Sequence, residues 1–429
     1  MLTREQNDLL TRTGPGTPGG DLMRRYWQPA ALSEELPPGS PPQPVRLLGE
    51  DLVLFRDEAG RPGLLGLHCP HRGADLSYGR LEDGGLRCLY HGWLFDVTGQ
   101  CREQPGEPAG STFRQRVRHT AYPCLEAAGI IFAYLGPGEP PLLPAYEALT
   151  VPDAHRFVIK YFHECNYLQG EEGEIDPVHT SYLHRQFVSG SGETDYREIP
   201  REGHMPLYGR DVAPRIEIDE TDYGVRIFSI RNAGADTAYL RITNFVMPNL
   251  SAIAGQTGEH GYAIHWHVPI DDVTHWKYDI IFCRTAPLDL ERMRRAYAAQ
   301  MAPGYRFRRT LANRYQQDRA EMAATSFSGM GAFFPAHDAY ATETQGPIQD
   351  RTQERLGSTD KAIARARQML LRAIRDVQAG REPPHVVRDP AANDFSHLVV
   401  LSKIIPADAD WRTAWRAAPA AAEPLAAGR

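Results

Sequence analysis

Cys69-Pro70-His71-Arg72-Gly73 and Cys88-Leu89-Tyr90-His91-Gly92-Trp93 place two thiols and two imidazoles in two short segments, each with a glycine shortly after its histidine, Gly73 and Gly92. No other feature limits the fold as much, because two loop tips must meet if the four side chains are to hold one inorganic centre. A Cys₂His₂ set also suits zinc. Against zinc stands the single residue between Cys69 and His71, a tighter spacing than zinc knuckles use. Cys101, Cys124, Cys165 and Cys283 are irregularly placed and read as small buried side chains rather than ligands or disulfides.

The surroundings of these loops are β-rich. Runs at 45–48, 52–55, 64–67 and 129–134 alternate with Gly, Pro and Asp turns and predict a small all-β domain over 44–145. Ahead of it, Thr3 and Gln6 have capping-box spacing for a helix over 3–12. Gly14-Pro15-Gly16-Thr17-Pro18-Gly19 matches a dinucleotide fingerprint only formally, since no strand precedes it, and reads as a surface loop within a 1–43 helix-and-loop segment. Beyond a Pro-rich connection, alternating runs at 215–218, 224–230 and 275–282 predict an antiparallel sheet covered by helices over 146–405. Ile363, Leu370, Ile374 and Val377 recur at helical spacing before Gly380, predicting a helix over 359–379. An Ala/Pro-rich tail, 406–429, is expected to be disordered. The fold class is therefore α+β in two domains.

Charge restricts the partners. With 47 basic and 54 acidic residues, net −7, and no long basic run, nucleic acid and anionic membranes are not favoured. The longest apolar stretches fall far short of the roughly 20 residues that span a bilayer. The charged first residues lack a signal-peptide core, so a cytoplasmic protein is expected. A small molecule or another protein is the expected partner.

A second constellation lies in the second domain, where Asn166 and Gln169 precede Asp176-Pro177-Val178-His179 and His184. On a straight helix, histidines five apart point about 140° apart, so they meet at one ion only if the helix bulges or ends between them. Adding one carboxylate would complete a facial two-histidine, one-carboxylate iron site with open positions. Asp318, Glu321, Asp338, Glu343 and Asp350 are all candidates on residue type alone.

Cys-Pro-His-Arg-Gly with Cys-x-x-His-Gly-Trp resembles the loops of Rieske ring-hydroxylating oxygenases. Neither loop has the extra cysteine of respiratory Rieske proteins; Ala74 and Trp93 stand nearby instead. Asp-x-x-His-x-x-x-x-His resembles the catalytic domain of the same oxygenases, and the likeness extends to Gly346-Pro347-Ile348, most closely in the phthalate dioxygenase and aryl-ether O-demethylase branch. The resemblance implies a small Rieske domain and a helix-grip-like catalytic domain. It implies a [2Fe–2S] cluster on Cys69, His71, Cys88 and His91, and mononuclear Fe(II) on His179, His184 and Asp338. Asp176 is implied as the bridge to the cluster of a neighbouring subunit in a homotrimer, receiving a hydrogen bond from that subunit's His91. Asn166 and Gln169 could line the iron pocket, and Arg241, on an expected strand, could pair with an aromatic carboxylate. The implied reaction uses O2 and electrons from a separate NAD(P)H-dependent reductase to hydroxylate an aromatic acid or demethylate an aryl ether. An electron-transfer or metal-binding protein without oxygenase activity is the rival.

Overall fold

The computed structural model describes residues 1–187, 205–254, 257 and 260–416. The amino-terminal helix Arg4–Thr11 opens with the expected capping box, in which the Thr3 hydroxyl accepts from the Gln6 amide and the Gln6 side chain accepts from the Thr3 amide. The glycine-rich stretch after it differs from expectation. Thr17 caps a short helix, Pro18–Met23, with Pro at its first position, and Gly19 and Gly20 are buried rather than forming a surface loop. A Cβ on Gly19 would lie 2.5 Å from the Leu9 carbonyl oxygen, so glycine is needed for this close packing.

The first domain holds three antiparallel sheets. One joins Gln43–Leu47, Glu50–Arg56, Pro62–Gly66 and Ala121–Tyr122, and a second joins Arg80–Glu82, Gly85–Arg87, Leu94–Asp96 and Cys101–Glu103. The third pairs Gln28–Leu32, Ile130–Ala133 and Cys124–Ala127, so the segment expected as helix and loop also supplies a strand. Alternation along Glu50–Arg56 serves two cores. Val53 and Phe55 pack with Phe95 and the loop cysteines, whereas Leu52 and Leu54 join the core shared with the second domain.

The second domain is built on an eight-stranded antiparallel sheet in the order Arg156–His163, His275–Phe282, Ala263–Pro269, Leu250–Ile253, Thr237–Val246, Gly224–Gly234 and Arg215–Glu220, with Leu401–Pro406 also pairing Thr237–Val246. One face meets the first domain, where Phe132 packs on Trp266 with ring centroids 5.4 Å apart and Lys160 pairs with Glu35 at 2.6 Å. The other face carries the helices Tyr167–Glu174 and Phe334–Glu343. The helix Lys361–Gln378 packs across Arg215–Glu220 and Gly224–Gly234, with Ala366, Leu370 and Ile374 buried. Residues 406–416, grouped with the expected tail, include the helix Trp411–Ala414, anchored by Trp411 against Phe228; the rest of the tail lies outside the described residues.

The face under the two helices is polar although it is buried. Register places His163, His275, Lys277, Asp279, His265, His267 and Ser251 on it, followed by Arg241, Tyr239, Ser229 and Arg231. Apolar helix packing alone does not need such a face, and hydrogen bonds compensate part of its cost. His267 Nδ1 lies 3.0 Å from His275 Nε2, and His275 Nδ1 faces the Cys165 carbonyl at 2.8 Å. Burial, reinforced by neighbouring imidazoles, holds His267 and His275 well below the ordinary histidine range, and burial holds His385 at about 4.

For each of these histidines the unfolded chain binds a proton that the fold refuses, so stability rises with pH across the gap. Stability present at pH 7.5 should therefore fall by a few kcal/mol, roughly, as pH drops below 6.5 towards 4. Urea midpoints at pH 7.5 and 5 would check this, and equal midpoints would refute it.

Candidate metal centres

The two Cys/His loops share one backbone design. In the first, the Cys69 amide donates to the Ala74 carbonyl at 2.8 Å and the Gly73 amide to the Cys69 carbonyl at 2.8 Å. In the second, the Cys88 amide donates to Trp93 at 2.9 Å and the Gly92 amide to Cys88 at 3.0 Å. Gly73 and Gly92 sit at φ +77° and +73°, the left-handed turn that closes each tip. Both sulfurs are buried, while the imidazoles lie outward, with ring centroids 4.5 Å apart. His71 stacks on Trp93 at 4.4 Å, and His91 is exposed. Burial, aided by the neighbouring Cys88 sulfur, pushes the Cys69 thiol up to about 11. Two adjacent buried thiols favour ionisation only beside a cation. With two soft donors inside and two imidazoles outside, this donor set fits a Rieske cluster.

The second centre begins where a helix stops. Asn166 caps Tyr167–Glu174, and the helix ends ahead of Asp176 and Pro177. One 3₁₀ turn follows at His179–Ser181. This break brings His179 and His184 together, with centroids 5.0 Å apart and rings at 83°. Asp338, on Phe334–Glu343, completes the group, and the donor atoms of His179, His184 and Asp338 all lie within 4.8 Å of one another. His184 Nε2 is 3.0 Å from Asp338 Oδ1. Burial alone would raise the Asp338 carboxyl, but the imidazoles of His184 and His179 overcome it and hold the carboxyl well below its usual range. One carboxylate and two imidazoles on one side of an ion leave other positions open, as a facial ferrous site requires. Asp176 sits behind His179, with Oδ2 3.8 Å from His179 Nδ1 and Oδ1 accepting from the Val178 amide at 2.7 Å. A cavity of about 220 Å³ reaches Asp176, His179 and Asp338 past Gly170 and Gly173.

The remaining carboxylates have other work. Asp318 caps the helix Arg319–Ala324, Glu321 accepts from Ser326 and the Gly331 amide, and Asp350 accepts from Thr352. Glu343 accepts from Tyr315 at 2.6 Å.

Asn166 and Gln169 act mainly as ties. The Asn166 amide donates to the carbonyls of Thr11 and Asp272, at 2.9 and 2.7 Å. Gln169 lines the cavity, but its amide donates to Thr342 and Gly346 and its oxygen accepts from the Gln349 amide. Arg241 is buried on the polar sheet face, donating from Nη2 to the Ala254 carbonyl at 3.1 Å, and among the described residues its Nε has no partner.

Two residues beside the centre escaped sequence reasoning. Arg231, fully buried, donates from Nη2 to the Pro177 carbonyl at 2.6 Å and so holds the turn before His179 to the sheet. His337 precedes Asp338 and contacts His184. Adjacency to the chosen carboxylate was the only available signal for His337, and Arg231 had none.

Residues 133–426 match the family model described as LigXa C-terminal domain like, and residues 26–121 match the Rieske [2Fe-2S] domain. This chain belongs to the Rieske non-heme iron oxygenases. It is similar to the 5,5'-dehydrodivanillate O-demethylase oxygenase subunit of Sphingobium sp. (strain NBRC 103272 / SYK-6), with 35% identity over 94% of this chain and 88% of that protein. It is also similar to the phthalate 4,5-dioxygenase oxygenase subunit of Pseudomonas putida, with 37% identity over 96% of this chain and 94% of that protein. Among solved structures, dicamba monooxygenase bound to dicamba shares the fold, with a TM-score of 0.59 and 19% identity over 83% of this chain and 99% of that one. A Rieske oxygenase of this family uses a [2Fe–2S] cluster and a mononuclear iron. Among the described residues, no helix is long and apolar enough to cross a membrane.

The helix that delivers the oxygenase's metal turn has no room to thicken. A Cβ on Gly170 would meet His267 Nδ1 at 2.4 Å and His275 Nε2 at 2.8 Å. Gly170→Ala should cost about 1–3 kcal/mol in stability and lower the mononuclear iron content. Denaturant midpoints and iron-to-protein ratios would show both effects, and a variant matching the parent in both would refute the packing argument.

Proposed function

We propose that this chain is a terminal oxygenase that uses O2 and electrons from a separate NAD(P)H-dependent reductase to oxidise an aromatic carboxylate. The observation that carries the reading is the three-donor group of His179, His184 and Asp338, opening into a cavity within a chain that also has the two cluster loops. In this reading Cys69 and Cys88 hold one iron of the cluster, His71 and His91 hold the other, and the His179, His184 and Asp338 set holds ferrous iron. The cluster supplies single electrons, and ferrous iron with open positions supplies oxygen activation. The chain's own residues orient these groups. Asp176 lies 3.8 Å from His179 Nδ1 and acts on that ring through its charge, while Arg231 keeps the turn between them seated on the sheet.

The exposure of His91 supports an electron path between subunits of a homotrimer. Asp176 is partly exposed as well, at 26% of its side chain, so the His91 of one subunit can donate a hydrogen bond to the Asp176 of the next. A carboxylate shared by two metal-bound imidazoles tunes both.

The aromatic carboxylate reading rests on two buried guanidiniums. Arg241 and Arg231 share the buried sheet face, and among the described residues neither has a carboxylate partner. Burial and the nearby Arg241 charge both lower the Arg231 pKa, with Tyr208, Tyr239 and the Asp211 carboxylate opposing them. Arg241 does not line the cavity at His179, but an anionic substrate reaching this sheet face would add a counter-charge, and among the described residues Arg241 Nε has no partner. Phthalate and dehydrodivanillate, in the names of the two relatives, are both aromatic carboxylates. Because one relative is a dioxygenase and the other an O-demethylase, demethylation of a methoxylated aromatic acid stands as the second reading.

Iron analysis should find roughly three irons per chain, two with acid-labile sulfide and one without; two irons, with no substrate-dependent O2 uptake, would refute the oxygenase reading. Arg241→Ala should weaken binding of a carboxylate substrate by about 10–100-fold and of its neutral analogue far less, so equal losses would reject the carboxylate contact. Asp176→Asn should keep both centres but lower coupled turnover at least about tenfold, an outer-sphere effect of the usual size. Single-turnover electron transfer from the reduced cluster would show whether the loss lies in that step.

A further inference from the structure

The two histidines of the mononuclear centre are backed differently. Behind His179 is a carboxylate, Asp176. Behind His184 is a second imidazole, with His184 Nδ1 3.2 Å from His337 Nδ1, ring centroids 5.4 Å apart and ring planes 27° apart. The outer nitrogen of that second ring, His337 Nε2, faces the Gly331 carbonyl at 3.0 Å and the Met330 carbonyl at 3.3 Å. The His337 ring is fully buried, on the same helix as Asp338.

These contacts assign the hydrogens in order. Carbonyl oxygens only accept, so His337 Nε2 must carry a hydrogen, and the neutral ring then presents a lone pair at Nδ1. Across the 3.2 Å contact one nitrogen has to donate, and only His184 Nδ1 remains to do so. His184 Nε2, 3.0 Å from Asp338 Oδ1, is then the nitrogen that offers its lone pair once a cation replaces the proton it shares with that carboxylate. A free imidazole divides itself between two tautomers, and the wrong one would turn an N–H towards the metal.

We infer that His337 is a positioning residue that locks His184 into the Nε2-ligating tautomer through a backbone-anchored imidazole–imidazole hydrogen bond. This deepens the proposed function, since it rests on His184 being a ligand of the mononuclear iron. A neutral imidazole accepts less strongly than a carboxylate, so His184 is held in place with little gain in basicity.

The test is ferrous iron affinity, measured by chelator competition on protein whose cluster absorbance shows the Rieske centre intact. His337→Phe keeps a flat ring without the acceptor, whereas His337→Asn places an amide oxygen where Nδ1 stood. Affinity should fall about 10–100-fold in His337→Phe and return to within a few-fold of the parent in His337→Asn. Parent-like affinity in His337→Phe, or an equal loss in both variants, would overturn the inference. If His337→Phe yields no folded protein, His337→Asn decides alone, a loss beyond tenfold overturning it and a smaller one supporting it. A parent protein that binds no ferrous iron beyond its cluster would instead sink the reading of His179, His184 and Asp338 as a metal site.

Discussion

The hydrogen bond from Arg231 to the carbonyl of Pro177 is the tie on which the catalytic half depends. Two histidines five residues apart can meet only if the chain leaves the helix between them, and a chain that leaves a helix exposes backbone groups that need partners. The guanidinium supplies one of those partners from the middle of a sheet and also reaches the hydroxyls of Thr180, Ser181 and Ser229. Its full burial costs much as a charge and holds its pKa down. The cost is met by a fork of donors that fixes a turn in three directions, as a planar guanidinium can and an ammonium cannot.

The helix in front of that turn is secured from its other side. Glu172 accepts from Arg351 and Arg367, both buried, and Arg367 also pairs with Glu354. Burial would raise the Glu172 carboxyl, yet the two guanidiniums outweigh it and keep the group ionised. Removing one partner from such a network costs about 3–5 kcal/mol because the others stay buried and unpaired. The Tyr167–Glu174 helix is therefore clamped between a polar sheet face and a charged cluster, and the cavity that reaches His179 and Asp338 lies along it.

Much of this was legible wherever the information is local. The cluster loops are contiguous motifs, and the capping box at Thr3 and Gln6 appears as read. The angular mismatch of His179 and His184 called for a helix that bulges or ends between them; the helix in fact ends earlier, at Glu174, so neither histidine lies on it. Asp338 could be separated from four other carboxylates only by resemblance; in space they separate by the amides, hydroxyls and phenol each already serves. The Pro18–Met23 helix went unread because glycine content masked a valid start signal, Thr at the cap and Pro at the first position. Arg231 and His337 were illegible for a different reason, since their partners, Pro177 and His184, are far away in the chain and no local pattern announces either contact.

The strand Glu50–Arg56 sends alternate side chains into two cores, one under the cysteine loops and one shared with the large sheet. A shared wall of this kind makes the two halves mechanically one body. Cutting the chain between them would leave a strip of leucines bare on each fragment, so the electron-storing half and the oxidising half are bound to fold, move and be inherited together.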